Sequence, residues 1–196
     1  MPFLSPAAAP RTPQLTEEAF RALLDERGIL RHGALDPPAR ERSFAVFSQR
    51  PDALLDIEAL ARQAERFFAT KLGSTVDKRY GDVMPEVDAA RVVIASGDGT
   101  SSGTRLCYGR TADSADFAAA EEAERAMGTY GLALLAQRCK TIWIVVPETE
   151  EDRAALTIAA IFASHMLGPI LSPGGREIYG VRGARLKLEG RASPYR

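Results

Sequence analysis

The chain has 196 residues, a length that suits one globular domain with an appendage. Its residues are 45% hydrophobic and 26% charged, which is ordinary for a soluble globular protein, and its formal net charge is −1 at pH 7. The chain therefore has no excess of basic residues, and neither nucleic acid nor an anionic membrane is expected as a partner.

The cysteines and the N-terminus indicate the compartment. Cys107 and Cys139 are too few for a disulfide framework, and they lack the Cys/His spacing of a zinc site. The start, MPFLSPAAAPRTPQ, lacks the charged region and long apolar run of a secretion signal. We therefore expect a cytoplasmic protein with reduced thiols, no metal and no cofactor.

Residues 1–50 are predicted to form an N-terminal arm. Its Pro- and Ala-rich start is expected to be mobile until a contact orders it. A short helix then begins at the capping hydroxyl of Thr16, carries the apolar stripe Phe20, Leu23 and Leu24, and ends at Gly28. The rest of the arm is predicted to be a linker, within which SFAVF at 43–47 matches a short strand.

Residues 51–196 are predicted to form an α/β domain. A helix capped by Asp52 has apolar residues at helical spacing as far as Leu72, and Gly73 ends it. Two strands at 92–95 and 105–108 then form a hairpin. They are followed by an Ala-rich helix over 113–137, which glycines at 128 and 131 weaken, and by a buried strand over 141–146.

The end of the domain is predicted to contain one more helix and the last strands. Thr149 and Asp152 match a capping box for an uncharged helix over 154–171, which a Gly-Pro pair interrupts near its end. Strands are expected at 177–181 and 184–188. The order ββαβαβ predicts a mixed β-sheet flanked by helices.

The glycine-rich loop after the first strand of the hairpin is one candidate site. Backbone N–H groups of such a loop can hold a phosphate, and its GDGT core resembles the phosphate-site motif of NAD and diacylglycerol kinases. The alternative is a plain hairpin loop, because a strand and not a helix follows. The candidate ligand-binding residues are Ser96, Gly97, Asp98, Gly99, Thr100, Ser101 and Ser102.

A longer span, from about residue 50 to residue 190, resembles the cytidine deaminase family. The resemblance rests on the element order and on Glu122-Ala123-Glu124-Arg125, because that family carries a zinc ligand, Ala and a proton-shuttling Glu on this helix. Glu122 occupies the ligand position, and PETEEDR at 147–153 lacks the cysteines of the second zinc motif. The resemblance implies a deaminase-like architecture without zinc, with Glu124 as the candidate acid or base. The alternative is a solvated helix face.

The uncharged helix is another candidate site. Its apolar residues do not fit one narrow stripe, so a second face must be covered, and few other helices are predicted to cover it. The predicted interface residues are Ile158, Ile161, Phe162, His165 and Met166.

These features lead to two functional hypotheses. The first is a non-catalytic or metal-free α/β subunit that associates with a protein partner or with its own copy through this helix and the N-terminal arm. The alternative is a nucleotide- or phosphate-metabolite-binding enzyme that uses the loop from Ser96 to Gly103.

Overall fold

The computed structural model describes residues 42–50, 55–76, 90–96, 102–149 and 151–190. The predicted helix that ends at Gly28 lies outside these residues. The described elements are, in chain order, β1 Phe44–Ser48, α1 Ile57–Phe68, β2 Thr70–Val76, β3 Ala90–Ser96, β4 Ser102–Thr111, α2 Ser114–Met127, α3 Leu132–Gln137, β5 Thr141–Val145, α4 Arg153–Met166, β6 Ile170–Leu171, β7 Ile178–Tyr179 and α5 Val181–Leu188.

The strands form one sheet in the order β2-β3-β4-β5-β1-β6-β7, and helices lie against it. The predicted α/β class with flanking helices is therefore confirmed. The expectation of a mixed sheet is wrong for the described strands, because all of their ladders are antiparallel.

Two glycines explain the antiparallel pairing of β4 with β5. Gly128 and Gly131 both have positive φ, so the Ala-rich segment forms two helices, α2 and α3. The second helix returns the chain to the end of β4, where Thr141 pairs with Thr111. A single uninterrupted helix would have delivered β5 to the opposite end of β4, as in a parallel crossover.

The strand predicted at 43–47 lies inside the sheet. β1 pairs with β5 on one side and with β6 on the other, and its five side chains are all buried. Phe44 and Val46 pack in one apolar layer, whereas Ala45 and Phe47 pack in the other, as strand alternation requires. Phe44–Ser48 therefore belongs to the domain and not to the linker of the arm.

The two faces of the sheet carry different helices. On one face α1, α4 and α5 enclose a core in which Trp143 meets Phe162 edge-on, with ring centroids 5.7 Å apart. On the other face α2 and α3 enclose a second core, where Phe47 and Phe117 stack at 6.4 Å. Every helix of the described chain therefore has a buried stripe against the sheet or against another helix.

The predicted bounds of α1 are wrong at both described ends. Its N-cap is Asp56, whose side chain accepts from the N–H of Ala59 at 2.8 Å, and not Asp52, which lies outside the described residues. It ends at Ala69, which has a left-handed conformation with φ of 48°. Thr70–Val76, predicted in part as helix, forms β2 because its backbone pairs along its whole length with β3.

The C-terminal predictions also require correction. Asp152 and not Thr149 caps α4, which ends at Met166, and Ile170–Leu171 forms β6 after the Gly-Pro pair. Residues 184–188, predicted as a strand, lie in α5. Val181, Ala184 and Leu188 have i, i+3, i+7 spacing and pack on the α4 layer, which is why the segment is helical.

Two buried arginines of β4 bind helix N-termini on opposite faces of the sheet. Arg105 donates to Asp152, the N-cap of α4, from Nε at 2.5 Å and from Nη2 at 3.0 Å. Arg110 donates to Asp116, in the capping box of α2, from Nη1 at 2.7 Å and Nη2 at 2.8 Å. Both are bidentate pairs, the geometry in which arginine binds carboxylate best.

Candidate functional site

The predicted phosphate loop is described only at its two ends. Ser96 is the last residue of β3 and Ser102 the first residue of β4, and residues 97–101 lie outside the described residues. Ala95 pairs with Ser102 and Ile94 with Gly103, so the two strands do form the expected hairpin. Phosphate binding by this loop stays a prediction.

Glu124, the candidate acid or base, binds backbone. Its Oε1 accepts from the N–H of Leu132 at 2.5 Å and of Ala133 at 3.1 Å. These are free donors of the first turn of α3, whose N-cap Gly131 offers no side chain. Glu124 therefore has a structural role as a cap, and it lines neither of the two concave sites described below.

The predicted interface on α4 is wrong for its apolar residues. Ile158, Ile161 and Phe162 are 0% exposed and Met166 is 2% exposed within the single chain. The second face of the helix is covered by α1 and α5, which the sequence pattern did not place there. His165 is half-buried, and its Nε2 lies 2.5 Å from Nη1 of Arg50.

A groove of about 720 Å³ lies beside the C-terminal end of α4, where α1 and α5 meet it. Its apolar lining includes Phe67, Leu167 and Val181, and α3 contributes Leu135. Its charged lining residues are Arg182, Arg185 and Glu189.

Leu167 is the unusual residue of this groove. It is the C-cap of α4 in a left-handed conformation, with φ of 58°, and its residue surface is 65% exposed. Glycine is the usual residue there, because a Cβ in this region clashes with the backbone. Phe67, which lines the groove from α1, is 41% exposed. The groove thus gathers two of the exposed large apolar side chains of the described chain.

A smaller pocket of about 360 Å³ lies on the other face of the sheet, between the start of β1, helix α2 and the turn that joins β6 to β7. Ser43, directly before β1, lines the pocket together with Ala45, and Glu122 lines the pocket from α2. Leu171 and the turn residue Arg176 complete the wall. The charged residues Glu122 and Arg176 are exposed, whereas Ser43 is buried, with 3% of its surface exposed.

The β6–β7 turn is fixed by its own hydrogen bonds. The N–H of Gly175 donates to the carbonyl of Ser172 at 3.0 Å, and the N–H of Glu177 donates to Ser172 Oγ at 3.1 Å. Gly174 and Gly175 both have positive φ, which only glycine adopts without strain. This geometry holds Arg176 beside the pocket.

Little in the sequence indicated either concave site. Ser43 precedes a strand without any motif around it, and Leu167 stands within the predicted uncharged helix, directly before its Gly-Pro pair. The Pro-Gly-Gly before Arg176 did mark a turn, which was the one usable signal.

Residues 42–50, 55–76, 90–96, 102–149 and 151–190 contain no group of three or more His, Cys, Asp and Glu side chains placed to hold a metal ion. In the same ranges no helix is long and apolar enough to cross a bilayer. Comparison of the chain with protein-family models, with curated proteins and with solved structures gave no match.

Proposed function

We propose that the chain is a non-catalytic α/β subunit that associates with a second copy of itself. In this proposal the groove beside Leu167 receives the amphipathic N-terminal segment, residues 16–28, of the other copy. The observation that carries the proposal is the exposed leucine in a left-handed conformation at the groove wall.

The backbone of Leu167 lowers the stability of the isolated chain, and its side chain does not offset this cost. A non-glycine residue in the left-handed region costs about 1–2 kcal/mol relative to the right-handed helix. Its apolar side chain also stays in water, so it contributes little hydrophobic stabilisation to the fold. Backbone strain of this kind is often associated with a functional site, and an apolar contact with another molecule offers a function for this side chain.

The N-terminal segment has the chemistry that this groove fits. Its apolar stripe, Phe20, Leu23 and Leu24, provides the anchors that an amphipathic helix inserts into an apolar groove. The segment contains more acidic than basic residues, whereas the groove lining has two arginines and one glutamate. Opposite charges at the edges of such a contact favour the intended partner and speed the encounter.

Sedimentation of the full chain tests the proposal. The wild type is expected to be a dimer at micromolar concentration, and Leu167→Asp in the groove or Phe20→Asp in the segment should give a monomer, because each places a charge in the apolar contact. Leu134→Asp is the matched control, because Leu134 is 58% exposed on α3 and does not line the groove. This control should sediment as the wild type does.

Mixing the two variants provides the sharper test. Leu167→Asp retains an intact segment and Phe20→Asp retains an intact groove, so a mixture should form a heterodimer with one arm–groove contact although neither variant dimerises alone. A synthetic peptide of residues 14–29 should compete with this contact and dissociate the wild-type dimer. A wild-type chain that is monomeric at high micromolar concentration, or a mixture that stays monomeric, would overturn the proposal.

A further inference from the structure

We infer that the pocket between β1, α2 and the β6–β7 turn is a binding site for a small zwitterion of the amino-acid class. The inference is independent of self-association, because this pocket shares no lining residue with the groove. It rests on one buried hydroxyl that has no partner within the described part of the chain and on two opposite charges at a concave surface.

The buried hydroxyl belongs to Ser43. The residue is 3% exposed, and its Oγ has no hydrogen-bond partner among the described residues. Ser43 has the same parity along the strand as Ala45 and Phe47, whose side chains pack on the α2 face, and it lines the pocket on that face. A buried hydroxyl without a partner destabilises a fold, so it indicates a ligand group that completes its hydrogen bonding.

The two charges belong to Glu122 and Arg176. Neither side chain forms an ion pair with another residue of the described chain. They approach the same cavity from different elements, α2 and the glycine turn, so both can contact one ligand. The remaining wall consists of small or apolar residues, Ala45, Ala119 and Ala126 among them, which leave room for a compact body.

This combination selects among ligand classes. An arginine binds a carboxylate in bidentate fashion, and a glutamate binds an ammonium group. A phosphate dianion is disfavoured, because the single arginine is opposed by the Glu122 carboxylate in the same pocket. The volume of about 360 Å³ is at the lower end of ligand pockets, which suits a single amino acid or a similarly small zwitterion.

The first experiment screens the full chain for ligands. Each of the twenty L-amino acids is added at millimolar concentration in a thermal-shift assay, with inorganic phosphate as the comparison, and positives are measured by calorimetric titration. At least one amino acid is expected to raise the Tm and to bind saturably. The N-acetyl and carboxamide derivatives of that amino acid should bind at least about tenfold more weakly, because each removes one of the two charges.

Variants then assign the contacts. Ser43→Ala, Glu122→Gln and Arg176→Gln should each weaken binding about tenfold or more, a loss typical of one hydrogen bond or charge contact. Glu65→Gln and Arg125→Gln are the matched controls, because both residues are exposed and lie outside the pocket. Ser43→Ala should also raise the Tm of the ligand-free chain, because it removes the buried group that lacks a partner.

Three results would overturn the inference. The first is a panel in which no amino acid binds, and the second is binding that Ser43→Ala and Glu122→Gln leave unchanged. The third is phosphate binding that is tighter than amino-acid binding and depends on Arg176, which would assign the pocket to anions.

Discussion

Replacing Asp152 by alanine should destabilise the fold more than the loss of a helix cap can explain. One carboxylate accepts from Arg105 twice, from the N–H of Ala155 at 2.9 Å and from the N–H of Glu148 at 2.8 Å. Its side chain is 3% exposed and that of Arg105 is 10% exposed. The alanine variant therefore removes both Asp152 hydrogen bonds from a buried guanidinium, which keeps its contact with Glu148 at 3.0 Å.

The expected loss is about 3–5 kcal/mol of unfolding free energy, the range for breaking a buried ion pair on one side. For a chain of this length each kcal/mol lowers the Tm by about 2–4 °C. Asp56→Ala is the matched control, because Asp56 also caps a helix by one bond to a backbone N–H but is exposed. It should cost clearly less than Asp152→Ala. Urea denaturation at pH 7 measures both losses without screening the charges.

The pH dependence provides a second check. Burial raises the pKa of the Asp152 carboxyl, but the hydrogen bonds from Arg105, Ala155 and Glu148 and the Arg105 charge outweigh burial, so the pKa lies below its ordinary value of 3.8. A carboxyl with a lowered pKa stabilises the fold fully above its unfolded pKa, and the contribution is lost as the pH falls through the folded pKa. The difference between wild type and Asp152→Ala should therefore be constant from pH 7 to about 5 and should shrink below 3.8.

Two results would refute this reasoning. One is an Asp152→Ala loss no larger than that of Asp56→Ala at pH 7. The other is a loss that persists unchanged after acidification below the folded pKa, since protonated Asp152 no longer forms the ion pair.

Three further predictions concern packing and thiol chemistry. Gly168→Ala should lower the free energy of unfolding by about 3 kcal/mol or more, because the new Cβ would lie 1.9 Å from the carbonyl oxygen of Phe47. Gly73→Ala is the control and should cost less, because no atom lies within 4 Å of the Cβ that it adds. Equal losses for the two variants in urea denaturation would contradict this. Phe162→Ala should cost about 3–5 kcal/mol and leave the oligomeric state unchanged, because its side chain is 0% exposed in the chain's own core; a folded, stable variant of smaller hydrodynamic size would restore the predicted interface. Burial raises the pKa of the Cys107 thiol, and it raises the pKa of the Cys139 thiol to about 11. A thiol reagent at pH 8 should therefore modify both cysteines only after the chain unfolds. Rapid modification of the native chain would contradict this prediction.

Local patterns allowed several elements to be predicted. The β-branched run over 141–146 predicted a buried central strand, and Thr141–Val145 is one. Helical spacing predicted α1 and α4, Gly128 and Gly131 marked the break in the Ala-rich helix, and the Gly-Pro pair marked the end of α4. Each of these features depends on residues a few positions apart, so their physics is present in the sequence itself. The α/β class follows from them.

The direction of the strands and the covering of α4 were decided by tertiary structure. β1 pairs with β5 and β6, which follow it only after most of the domain, and no local pattern specifies such partners. Ile158 and Phe162 resembled interface residues because the sequence did not show that α1 and α5 would pack on α4. Whether an apolar face is core or surface depends on what packs on it, and that is a property of the fold.

The side-chain roles depended on tertiary contacts as well. Arg105 and Asp152 are 47 residues apart in the chain, and their pairing requires that β4 passes beneath the start of α4. Ser43, Glu122 and Arg176 come from a strand start, a helix and a turn, and only the packing of these elements creates one pocket. The sequence by itself determined most of the segments that become helices and strands, because that choice depends mainly on neighbouring residues. Pairing and packing decided it for Thr70–Val76 and for residues 184–188. The tertiary structure decided which distant side chains share a buried or concave environment, because that environment exists only after the elements have packed.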